Sequence, residues 1–174
     1  MSEKVYNVLF LCTGNSARSI LAEALLDHWG RGLFKAYSAG SHPKGEVHPL
    51  SLALLKQVGL KTDELRSKSW DVFSLPDAPE MDYVFTVCDQ AAGESCPIWP
   101  GHPIMAHWGL PDPAATQGDQ AQQMLAFRET FRQLERRVQL FVALRHKELS
   151  RREAEKMVAE IGRQRSDGVE GKAS

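Results

Sequence analysis

The chain has 174 residues, of which 43% are hydrophobic, enough for one domain with a core of its own. A formal net charge of −1 argues against a general polyanion binder such as a nucleic-acid protein, which would carry a basic excess. No apolar run approaches the ~20 residues of a membrane span, Met1-Ser2-Glu3-Lys4 lacks a signal-peptide layout, and three cysteines suit cytoplasmic thiols better than a disulfide scaffold.

Taken in order, residues 4–12 read as a buried strand, with Val5, Val8, Leu9, Phe10 and Leu11 in succession. Ile20, Leu21, Ala24, Leu25 and His28 then recur at helical spacing to about Trp29, where Gly30 and Gly32 stop the helix. Phe34 to Ala39 is a second strand closed by Gly40, and His48 to Val58 a second helix stopped by Gly59. Asp63 to Phe73 is short and polar and reads as a helical turn. Met81 to Val87 is a third strand ending at Cys88, Asp89 to Gly101 is turn-rich, and Ile104 to Trp108 is a short fourth strand. From Gln120 to Leu144, Met124, Phe127, Phe131, Leu134, Val138 and Phe141 mark a long amphipathic helix.

Strands alternating with helices predict an α/β fold: one three-layer domain over residues 1–145, with a four-stranded parallel sheet in the order 2-1-3-4 flanked by helices. Residues 146–174 read as a charged helical extension with a solvated face, followed by disorder from about Ser166. In such sheets ligands sit beyond the C-terminal strand ends where the order reverses. Cys12 ends strand 1, Cys88 ends strand 3 and Asp112 follows strand 4, so all three are expected on one rim.

Between the first strand and helix lies Cys12-Thr13-Gly14-Asn15-Ser16-Ala17-Arg18-Ser19. Successive backbone N–H groups in such a turn, at the positive end of a helix, make a site for a tetrahedral dianion. Arg18 adds a permanently charged fork matched to two oxyanion oxygens. A helix N-terminus and a guanidinium should pull the Cys12 thiol below its free value of about 8.5 and make it a nucleophile aimed at the central atom. Asn15 and Ser19 could hold the loop and hydrogen-bond the sulfur. A Walker-type nucleotide loop is excluded, because no Gly-Lys-Ser/Thr follows the glycine.

Two more thiols follow, Cys88 and Cys96, with seven residues between them in a turn-rich stretch where thiol exchange has the mobility it needs. If Cys12 carried an oxyanion, Cys88 could attack Cys12 and expel the central atom with two electrons, and Cys96 could then attack Cys88. The blander readings are a core cysteine at a strand end and a surface thiol without a role. A zinc site from Cys88, Cys96, His102 and His107 would have spacings that match no compact zinc motif. Asp112, set between two prolines, is a rigidly held candidate acid.

Cys12-x5-Arg18-Ser19 resembles the active-site loop of the low-molecular-weight protein tyrosine phosphatase fold. Within that fold the chain looks most like arsenate reductases that use intramolecular cysteine chemistry. Val87-Cys88-Asp89, Cys96-Pro97-Ile98-Trp99-Pro100-Gly101, His107-Trp108-Gly109 and Asp112-Pro113-Ala114 are similar to that family's redox and acid loops, over roughly residues 5–145. Ala114-Ala115 stands where tyrosine phosphatases carry aromatics, which points to a small inorganic oxyanion.

The resemblance implies arsenate as substrate, bound by residues 13–19, with phosphate or sulfate competing, Asp112 as acid, and catalysis by Cys12, Arg18, Cys88 and Cys96. It implies no metal or organic cofactor, and regeneration by thioredoxin or by glutathione and glutaredoxin. Part of the family has a monovalent-cation site, to which Asn15 and Glu23 could belong; a solvated helix glutamate is the plainer reading. A phosphomonoester hydrolase and a non-catalytic oxyanion sensor remain open alternatives.

Overall fold

The computed structural model describes residues 4–88, 99, 101–146 and 149–163. Four parallel strands, β1 (Tyr6–Cys12), β2 (Phe34–Gly40), β3 (Tyr83–Thr86) and β4 (Ile104–His107), form one sheet in the order β2-β1-β3-β4, as predicted. The helices are α1 (Arg18–Trp29), α2 (Pro49–Gln57), α3 (Gln120–Ala143) and α4 (Arg151–Arg163). Strand 3 is shorter than the sequence suggested. Met81 is buried before it, and Val87 continues alongside by donating its N–H to Leu11 at 2.9 Å.

Alternate strand residues face opposite ways, which sorts the apolar ones into two cores. Val8, Phe10 and Phe85 meet the buried faces of α1, α2 and α3. Leu9, Leu11 and Val84 meet Phe73, Met81 and Trp99 on the other face. Helix α2 begins one residue later than the periodicity implied, because His48 is its N-cap: the ring Nδ1 accepts the Leu50 N–H at 3.1 Å. Helix α3 starts with a reciprocal capping box between Asp119 and Gln122.

The charged extension differs from its expected solvated character. Helix α4 lies against β4 and buries Ala154, Val158 and Ile161 in the first core. The fully buried Trp108 donates its indole N–H to the Val158 carbonyl at 2.9 Å, and Arg151 donates to the His102 carbonyl at 2.7 Å. The expectation of disorder beyond Ser166 lies outside the described residues. Among the described residues no helix is long and apolar enough to cross a membrane.

Candidate active site

The residues between β1 and α1 form a cradle whose carbonyls are held from behind. Thr13 accepts the His42 N–H at 2.9 Å and Gly14 the Lys44 N–H at 3.0 Å. Ser16 accepts the His48 N–H at 3.0 Å and the Ser51 hydroxyl at 3.0 Å. A trans peptide points its N–H opposite to its C=O. The N–H groups of Gly14, Asn15 and Ala17 are therefore turned inward, and that of Gly14 donates to the Cys12 sulfur.

The turn needs one left-handed residue, and Asn15 supplies it with φ of 46°. Its fully buried amide is locked on both sides: Nδ2 donates to Ser19 Oγ at 2.8 Å and Ser38 Oγ at 3.0 Å, while Oδ1 accepts the Lys68 N–H at 2.9 Å. Ser38 in turn donates to Glu23 Oε1 at 2.5 Å. Ser19 therefore supports the loop through Asn15.

Arg18 opens α1 with its side chain only 13% exposed. One terminal nitrogen donates to the Leu110 carbonyl at 2.8 Å and the other lies 3.7 Å from Asp112 Oδ2. Its Nε is buried with no hydrogen-bond partner among the described residues, a charged donor still owed an acceptor. Asp112 caps the short 3-10 turn Pro113–Ala115, accepting the Ala114 N–H at 2.9 Å, and its side chain is 42% exposed. The prolines on either side leave it a fixed carboxylate at the mouth of the site.

Cys88 is buried behind the cradle, 3.5 Å from the Thr13 hydroxyl and near enough to Cys12 to act on its thiol. This corrects the expectation of a depressed Cys12 pKa. The Cys88 hydrogen bond and burial push the Cys12 thiol up, against the Arg18 charge and the Gly14 N–H. Cys96 lies outside the described residues. Cys12, Arg18 and Asp112 meet on one rim, where His42, Lys44 and Ala114 join them around a cavity of about 230 Å³, while Cys88 lies behind the cradle, outside that lining. A larger hollow of about 440 Å³ beyond α1, lined by Glu23, Asp27 and His28, holds no nucleophile.

Among the described residues no group of three His, Cys, Asp or Glu side chains could hold a metal ion. Where the sequence allowed a monovalent cation, one oxygen of Asn15 and one of Glu23 are occupied by hydrogen bonds. His107, weighed as a zinc ligand, hydrogen-bonds Thr86 at 2.7 Å. The sequence reading missed Ser38, Lys44, Ser51 and Lys68, which reach the loop from elsewhere in the chain. The serine in Ser38-Ala39-Gly40, just before the rim, was the available signal.

Burial raises the Glu23 carboxyl to about 7, with the Ser38 hydrogen bond opposing. A carboxyl raised on folding favours the protonated native state, so its contribution is full below its ordinary range and is lost as pH rises through about 7. Glu23→Gln keeps a neutral acceptor for Ser38. Its unfolding free energy, measured in urea at both pH values, should be close to the parent's near pH 4.5 and exceed it at pH 8 by about 1–3 kcal/mol.

A buried thiol, a guanidinium with an unspent donor and a turn of inward N–H groups thus meet in one loop between a strand and a helix. Comparison with known families makes this specific. The chain belongs to the low molecular weight phosphotyrosine protein phosphatase family, whose model matches residues 7–156. An arsenate reductase of Shouchella clausii is 31% identical over 141 residues, covering 81% of this chain and 96% of that protein. The crystal structure of an arsenate reductase from Archaeoglobus fulgidus superposes with a TM-score of 0.62 at 30% identity, covering 78% of this chain and 98% of that one. A thioredoxin-dependent arsenate reductase of Corynebacterium glutamicum gives a TM-score of 0.54 at 28% identity, covering 80% of this chain and 65% of that one.

Proposed function

We propose that this protein reduces arsenate to arsenite with electrons from its own cysteines. The observation that carries the reading is the placement of a second buried thiol against the Cys12 loop, with Cys88 3.5 Å from the Thr13 hydroxyl and near enough to Cys12 to raise its thiol. Hydrolysis of a cysteinyl adduct needs only water at the central atom, whereas reduction needs a second thiol at the sulfur. The relatives' names favour the same chemistry.

Arsenate enters the cradle, its oxygens taking the inward N–H groups and the Arg18 fork. Cys12 passes its thiol proton to an oxygen of the bound arsenate and attacks arsenic through sulfur, and that oxygen, on taking a further proton from Asp112, leaves as water. The Cys88 thiolate then attacks Cys12 sulfur. The S–As bond breaks, its electron pair passes to arsenic, As(V) becomes As(III), and arsenite leaves behind a Cys12–Cys88 disulfide. Cys96 attacks Cys88, freeing Cys12 and leaving a Cys88–Cys96 disulfide for an external dithiol to reduce. The name of the thioredoxin-dependent relative supports thioredoxin in that role, with glutaredoxin and glutathione as the other candidate, in a reducing compartment such as the cytoplasm.

The test is a thiol count with mass mapping after one turnover. Fully reduced protein is mixed with arsenate, or in parallel with phosphate, without external reductant. Arsenate is expected to consume two thiols, leaving a disulfide that includes Cys88, and phosphate none. Survival of all three thiols with hydrolysis of an aryl phosphate would replace the reading with a phosphatase. Binding without either reaction would leave an oxyanion sensor.

A further inference from the structure

The wall of the cavity opposite Ala114 comes from the segment after β2, and its shape depends on Lys44. The Lys44 backbone N–H is tied to Gly14, and its stem lies flat across that glycine. A Cβ built on Gly14 would sit 3.2 Å from Lys44 Cε and 3.4 Å from Cγ, so the loop has no side chain there and the lysine fills the place. Among the described residues Lys44 makes no ion pair, while Asp112 is the cavity's carboxylate and faces Arg18. Lys44 and Asp112 both line the cavity, so the two charges share its walls.

We propose that Lys44 is a specificity-determining residue, its ammonium closing over a bound free oxyanion while its stem occupies the space that an ester substituent would need. A tetrahedral dianion brings two negative charges into a site where Arg18 supplies one full positive charge. The inward N–H groups offset part of the remainder, and a second cation at the mouth supplies the rest. An inorganic oxyanion presents a free oxygen toward that mouth. A phosphomonoester presents its bridging oxygen and organic group, which gain nothing from an ammonium and meet the lysine stem. The discrimination is thus against esters and does not separate arsenate from phosphate.

The inference rests on the proposed function only in taking the Cys12 loop as the oxyanion site. Full-length Cys12→Ser protein is titrated calorimetrically with arsenate, inorganic phosphate and phenyl phosphate at low salt, with and without Lys44→Ala. Lys44→Ala is expected to weaken both inorganic ions about tenfold and to leave phenyl phosphate unchanged or tighter, and Lys44→Arg to restore the inorganic ions. Equal weakening of all three, or no change in any, overturns the proposal. Because Lys44 is exposed, the substitution leaves the packed core untouched. If arsenate consumed no thiols in the parent protein, the reductase reading would fail while the ratio of affinities remained measurable.

Discussion

Cys88→Ala is expected to lower arsenate turnover to below about one-thousandth of the parent rate and to leave Cys12 more reactive than before. The two effects have one origin. Cys88 is the thiol placed to take Cys12 sulfur from arsenic, so without it the adduct can only revert. Cys88 is also the largest influence raising the Cys12 pKa, so its loss leaves the Arg18 charge and the Gly14 N–H opposed by burial alone. Rates of iodoacetamide labelling at Cys12, followed by mass spectrometry across pH, should therefore rise at a lower pH in the variant. Hydrolysis of an aryl phosphate, where the parent shows it, should persist, because that reaction uses Cys12, Arg18 and Asp112 and not Cys88. Arsenate turnover that survived the substitution would remove Cys88 from the cascade. An unchanged labelling profile would remove the hydrogen bond as the cause of the raised thiol.

The parts of the site that are local in sequence were legible there. Cys12, Gly14, Asn15 and Arg18 sit within one turn between a strand and a helix, and their types state both the conformation and the chemistry. Cys88 and Asp112 were legible through topology, since a parallel sheet brings the ends of strands 1, 3 and 4 to one rim. What could not be read were contacts made at right angles to the strands. Lys68 and Ser38 hold Asn15 across β2, and no spacing in the chain announces either. The Cys12 pKa went astray for the same reason: Arg18 is six positions along the chain, whereas Cys88 arrives through space. Helix α4 was misread as solvated because seven of its thirteen residues are charged and Ala154 is too small to mark an apolar face with Val158 and Ile161. Gly162 lies inside that helix, and its place in the fold is set by what it touches.

Gly162→Ala is expected to destabilise the fold from outside the active site, and two principles assign it opposite signs. Helix propensity alone predicts a gain of about 1 kcal/mol, since Gly162 lies within α4 and alanine is the better helix former. Packing predicts a loss. A Cβ at this position would sit 2.2 Å from the His107 carbonyl oxygen and 2.6 Å from Trp108 Cδ1, both parts of the sheet edge, and neither atom can swing aside. Relieving the clash requires α4 to move off β4. That movement would break the Trp108–Val158 hydrogen bond and open the packing of Ile161. Overpacking of this kind costs about 1–3 kcal/mol, enough to cancel the propensity gain and leave a net loss. A fall in the urea midpoint is therefore expected, with a red shift in tryptophan emission as Trp108 meets water. The consequence for function follows from position. Trp108 stacks on Phe85 at 4.1 Å and lies four residues before Asp112, so loosening α4 should slow the step that needs the acid before it affects oxyanion binding. A raised midpoint would mean that α4 rests on β4 without being held there, and that its propensity outweighs its contacts.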